Sequence, residues 1–140
     1  MAKGRKRTNI IESKMKVVFL HGEHNSGKTT TINELYYRLL LEGAKVIEPK
    51  KNLPAKDDFE CILEFQNKRI ALFSLGDYMY AIGAAIGYYT MANCDVLVVA
   101  NSLKNPIYKS PLFRARKHPF KVVEKKRFVE ALDNLYAATI

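Results

Sequence analysis

The sequence predicts an α/β domain in three layers: a mostly parallel sheet of about five strands with an antiparallel edge hairpin, and helices on both faces. Three observations carry that expectation. The apolar run at 15–20 (MKVVFL) leads through the octapeptide GEHNSGKT into a segment of helical periodicity. The run at 95–100 (DVLVVA) is continuously apolar after its first residue, as in a parallel strand buried on both faces. Between them, 59–65 (FECILEF) alternates apolar and polar residues, and a turn at 66–68 joins it to the apolar 69–75, which reads as a hairpin.

The elements follow in order. From Thr29, a helix places Ile32, Leu35, Tyr36, Leu39 and Leu40 on one face, and Gly43 supplies its C-terminal stop. Residues 44–47 suit a short strand, and 48–56 a polar connection broken by Pro49 and Pro54. The first hairpin strand is expected at the sheet edge and the second, more uniformly apolar, nearer the centre. A helix over 78–92 precedes the 95–100 strand; a short strand near 120–123 and a helix over 126–138, phased by Phe128, Leu132 and Leu135, complete the chain. Ligands of open α/β sheets bind outside the carboxyl ends of the strands, so 74–77 and 101–104 should converge on the crevice that holds 22–29.

At 140 residues and 48% hydrophobic content, the chain fits one domain over 15–140 behind a basic tail at 1–14. The start of the sequence lacks the pattern of a secretion signal, and no apolar stretch suits a membrane span, so a cytoplasmic protein is expected. Cys61 and Cys94 sit apart in apolar settings, as small buried hydrophobes do. The net charge of +9 is concentrated: residues 1–16 carry six basic and one acidic side chain, and residues 104–127 carry nine and one. Lys3, Arg5, Lys6 and Arg7 in the tail suit solubility or loose attraction to a polyanion, with nucleic acid as the specific alternative.

The octapeptide carries the chemistry. Gly22 and Gly27 permit backbone angles and close approach that side chains forbid, so successive N–H groups can surround a phosphate at a helix N-terminus. Lys28 would reach the β- and γ-phosphate oxygens, and the Thr29 hydroxyl would take one position on Mg²⁺. On these residues the chain resembles the P-loop NTPase superfamily. The resemblance implies that family's three-layer fold and Mg²⁺-dependent binding of ATP or GTP. It assigns Gly22, Gly27, Lys28 and Thr29 to phosphate and metal, with Glu23, His24, Asn25 and Ser26 in the variable positions and Thr30 following.

The resemblance also implies an acidic residue at the end of an apolar strand, holding Mg²⁺ through water. Asp77 is the candidate, although it also stands where a helix N-cap belongs; Ser74 is the alternative, and Glu23 or His24 would serve a water or a substrate hydroxyl. A small G-protein layout is similar in its edge hairpin, but Lys104 stands where a guanine-reading acid is needed and Phe73 where an Asp would be. ATP is therefore favoured, with GTP open. Arg114 and Arg116, with Lys117, resemble in position and charge the basic lid of small kinases, and a solvated or nucleic-acid-touching loop explains them equally. Tyr80, Ala84 and Tyr88 share one helix face, expected to pack on the sheet before serving a dimer; Gly83 and Gly87 share another, where a backbone could approach. The functional expectation is nucleoside triphosphate binding with hydrolysis or γ-phosphoryl transfer. The alternatives are a nucleotide-regulated module for nucleic acid or polyanion, and a non-catalytic regulatory module.

Overall fold

The computed structural model describes residues 14–23, 26–53, 57–76, 78–102 and 106–140. Six strands form one sheet: β1 (Lys16–His21), β2 (Lys45–Asn52), β3 (Phe59–Phe65), β4 (Lys68–Phe73), β5 (Val96–Asn101) and β6 (Phe120–Glu124). Their spatial order is β2-β3-β4-β5-β1-β6. Helix α1 (Lys28–Leu41) follows β1, and α2 (Met79–Met91) joins β4 to β5. A 3₁₀ turn (Ile107–Lys109) and α3 (Pro111–Arg116) join β5 to β6, and α4 (Phe128–Thr139) ends the chain.

The sheet is mixed: β4, β5, β1 and β6 pair parallel, while β3 pairs antiparallel with both β2 and β4. This corrects the expected mostly parallel sheet of about five strands. The difference lies at residues 48–52, which continue β2 through Pro49 instead of forming a connection. A proline is tolerated there because an edge strand leaves half of its N–H groups unpaired, and the β2–β3 ladder shifts register on both sides of Glu48. β2 thus takes the edge, and β3, expected there, lies one strand inward.

Alternation along β1 explains why it is buried on both sides. Val18 and Leu20 pack with Ile32, Leu35, Leu39 and Leu135 in one apolar cluster; Val17 and Phe19 pack with Ile82, Ile86 and Phe113 in the other. Each of these strand side chains is fully withdrawn from water, at a gain of about 1.5–3 kcal/mol apiece. The core thereby fixes the direction in which β1 delivers the chain to residue 22. Both cysteines are free and buried, and burial pushes the Cys61 thiol up to about 12 and that of Cys94 up to about 11.

Helix α2 packs with a face other than the one expected. Ile82, Ala85, Ile86 and Tyr89 enter the core, while Tyr80 is 77% exposed and Ala84 and Tyr88 also face solvent. The stripe at 82, 85, 86 and 89 follows the i, i+3, i+4, i+7 spacing of a core face, and it includes two β-branched side chains that the tyrosine stripe lacks. Among the described residues a Cβ on Gly87 would meet nothing within 4 Å, so no backbone approaches this glycine closely. Among the described residues no helix is long and apolar enough to cross a membrane.

The carboxyl ends of the central strands are tied together by backbone bonds. Gly22 N–H donates to Asn101 O (3.2 Å), Ser102 N–H to Gly76 O (2.9 Å) and Lys125 N–H to His21 O (2.8 Å). Gly76 is indispensable to that seam, because a Cβ there would lie 2.5 Å from the carbonyl carbon and oxygen of Ala100. Gly76→Ala is expected to destabilise the fold by about 1–3 kcal/mol through forced separation of β4 and β5. Urea unfolding checks this; a loss below about 0.5 kcal/mol would mean that the two exits part freely.

Candidate functional site

The tied strand ends hold the octapeptide. Gly27 adopts φ 88°, ψ 21°, the left-handed region, and stands directly before the first residue of α1. That conformation turns the chain sharply from the loop into the helix at no Cβ cost. Gly22 is constrained by space, since a Cβ there would meet Ser26 Oγ at 2.8 Å and Lys125 Cβ at 3.1 Å. The two glycines of the motif therefore serve different ends, one a backbone angle and the other a close approach.

The N-cap of α1 is Gly27, which has no side chain to bond the first N–H groups, and the first turn holds no acidic residue. Its first internal bond is Thr31 N–H to Gly27 O (3.0 Å), so the N–H groups ahead of it have no helical acceptor. A 14-residue helix in this state presents partial positive charge at its start, where an anion is stabilised. Lys28 is only 6% exposed. Its ammonium folds back over the loop, donating to Glu23 O (2.5 Å) and Ser26 Oγ (3.3 Å). The positive charge thus sits against the loop, beside oxygens that an incoming phosphate would replace as its partners.

Thr29 points to a carboxylate that spacing along the chain does not suggest. Its hydroxyl donates to Asp58 Oδ1 (2.8 Å), and the Ser74 hydroxyl donates to the same oxygen (2.8 Å). Asp58 is 8% exposed and lies just ahead of β3, after Asp57, which takes a left-handed φ of 64°. Ser74 in turn accepts from Phe59 N–H (2.9 Å), which fixes its rotamer. A threonine hydroxyl has one proton and two lone pairs, so donation to Asp58 leaves the lone pairs of Thr29 for a cation. This donor set, a hydroxyl backed by a carboxylate, fits Mg²⁺, which takes oxygen ligands and retains several waters. Among the described residues no group of three or more His, Cys, Asp or Glu side chains could hold a metal by itself.

One further observation marks the crevice. Asn101, at the end of β5, is fully buried, yet among the described residues its Nδ2 and Oδ1 have no hydrogen-bond partner, and the buried Ser102 Oγ has none either. Leaving such groups unpaired costs about 1–3 kcal/mol each, an expense that folds carry where a ligand or ordered water completes the set.

The structure brings Gly22, Ser26, Gly27, Lys28 and Thr29 together, with Glu23 exposed at the loop and Thr30 exposed on the first turn of α1. His24, Asn25, Asp77 and Lys104 lie outside the described residues. Arg114 and Arg116 are not brought to the loop. They end α3, and Arg116 is two residues before His118, whose Nδ1 lies 3.1 Å from Met15 O at the entering end of β1. A six-residue strand separates that end from the octapeptide, roughly 17–20 Å. Arg116 instead lines a cavity of about 140 Å³ with Gly83, Ile86 and Phe113. Asp58 and Lys125 are the residues at this crevice that sequence reasoning missed, whereas Asn101 belongs to the 101–104 segment expected to converge there. The chain matches no protein-family model, no curated protein and no solved structure at a significant level.

Proposed function

We propose that this chain is a small P-loop nucleotide-binding protein that takes a Mg²⁺-nucleoside triphosphate, ATP in preference, for hydrolysis or γ-phosphoryl transfer. The observation that carries the reading is the join of left-handed Gly27 to an uncapped helix, with Lys28 buried against the same loop. Such an arrangement has backbone donors, helix dipole and ammonium converging on one point, which suits a phosphate chain better than a singly charged anion. The two apolar clusters on β1 agree with the three-layer arrangement of the superfamily.

Each residue has a role in this reading. The loop N–H groups hold the phosphates, Lys28 offsets their charge, and Thr29 and Asp58 hold the metal, Asp58 by orienting the hydroxyl. Mg²⁺ supplies charge neutralisation between the terminal phosphates when bound. Ser74 keeps Asp58 in place, and the unpaired amide of Asn101 offers a donor and an acceptor where the strand ends converge.

Thermal unfolding against a ligand panel tests the proposal. A ligand present at one hundred times its Kd stabilises by about 2.7 kcal/mol, or roughly 10 °C in Tm for a domain of this size. Mg-ATP should give this rise, Mg-ADP a smaller one and AMP none, with Mg-GTP reporting base preference. No rise with either triphosphate at millimolar concentration would remove the nucleotide reading.

A further inference from the structure

The phosphate loop is approached from a second strand. β6 runs parallel to β1 with Glu124 in register with His21, and the next residue is bonded back, Lys125 N–H to His21 O at 2.8 Å. Lys125 is therefore anchored beside the first glycine of the loop, more than ninety residues away in sequence. Its side chain lies along the loop. Lys125 Cβ is 3.1 Å from where a Cβ on Gly22 would be, and its Cε and Nζ are 3.8 and 3.9 Å from the corresponding position on Gly27.

Both motif glycines thus lie under one lysine. The stem covers Gly22 and the ammonium reaches Gly27, at the uncapped start of α1. Among the described residues no carboxylate pairs with that ammonium; the nearby acid, Glu124, faces His21 instead (3.3 Å). A part-buried cation held over the positive end of a helix is electrostatically unfavourable by itself. The arrangement becomes favourable when a polyanion occupies the loop.

Resting on the phosphate-loop reading above, we infer that Lys125 is a second polyphosphate-binding residue, contributed by β6 and directed at the part of the chain that di- and triphosphates share. The position of its Nζ decides which part. It sits by Gly27, whose backbone belongs to the cradle of the inner phosphates, whereas Lys28 carries its charge toward the β- and γ-phosphates. Lys125 therefore contributes equally to ATP and ADP binding. In a turnover assay it acts as uniform binding, raising affinity without changing the rate of the bound complex.

Calorimetry on the full chain with Mg-ATP and Mg-ADP, for the parent, Lys125→Met and Lys125→Arg, tests this. Lys125→Met should weaken both nucleotides by about tenfold, the scale of one lost charge-assisted contact, and Lys125→Arg should restore most of it. Ligand-free Tm values show whether the variants fold as the parent does, and the arginine variant keeps the test valid if methionine disturbs the loop. Affinities within twofold of the parent for both nucleotides overturn the role. A loss confined to ATP overturns it too, because it would place Lys125 on the γ-phosphate. A parent that binds neither nucleotide overturns the phosphate-loop reading itself.

Discussion

Replacing Lys28 by alanine should reduce affinity for Mg-ATP by at least about a hundredfold while leaving the fold intact. The ammonium is buried and already committed to the loop, with Glu23 O at 2.5 Å and Ser26 Oγ at 3.3 Å. Phosphate oxygens carry far more charge than a peptide carbonyl or a serine hydroxyl, so on ligand entry the ammonium exchanges weak acceptors for strong ones. Each charged hydrogen bond contributes about 1.5–3 kcal/mol, and two such bonds exceed the 2.7 kcal/mol that separates hundredfold affinities. The cost to the unliganded fold is smaller, because Glu23 is exposed and water can replace the lysine at its carbonyl. Calorimetric titration with Mg-ATP, beside a ligand-free melting curve, separates the two effects. Equal affinity in Lys28→Ala and the parent would show that the octapeptide does not grip phosphate, and every role assigned around it would fall with that result.

How much of this was legible in the chain depends on how local each determinant is. The strand, loop and helix around residue 22 are set by neighbours in sequence, so the run MKVVFL, the two glycines and the periodicity after Thr29 sufficed. The DVLVVA strand was equally plain, being apolar on both faces. The edge is not legible at Pro49, where a breaker residue lies in an outer strand whose free side needs no N–H. Arg114 and Arg116 suggest a lid over the loop only by their position in the chain and their charge. A connection between parallel strands must leave at the carboxyl edge and return to the amino edge, so residues near its end are carried away from the ligand side.

Asp58 and Lys125 escaped for a different reason. Asp58 meets Thr29 only because β3 pairs with β4 and brings Phe59 against Ser74, and Lys125 meets Gly22 only because β6 pairs with β1. No spacing along the chain encodes either meeting. The resemblance implies an acid at the end of an apolar strand, which points along the chain to Asp77. The carboxylate that the described structure joins to Thr29 comes from the turn preceding a neighbouring antiparallel strand.

That carboxylate supports the second large effect, on metal dependence rather than on phosphate grip. Asp58→Asn keeps an oxygen that can accept from Thr29 and Ser74 (both 2.8 Å in the parent), so the local geometry has little reason to collapse. What it removes is negative charge, and with it the pull that orients the Thr29 proton away from the proposed cation site. Loss of such a supporting carboxylate typically costs ten- to a hundredfold in metal affinity. The Mg²⁺ concentration needed for half-maximal ATP binding should therefore rise by about that factor, while affinity for ATP in excess EDTA stays near that of the parent. A Mg²⁺ titration at fixed ATP, followed by calorimetry or by a fluorescent analogue, reads both quantities in one series. An unchanged Mg²⁺ requirement would reduce Asp58 to a structural brace between Thr29 and Ser74. Asp58→Ala then supplies the matching control: it strands the 2% exposed Ser74 hydroxyl and should destabilise the fold by about 1–3 kcal/mol, which Asp58→Asn should not. A variant pair that separates metal dependence from stability in this way assigns the carboxylate to the site, because a brace would lose stability before it lost magnesium.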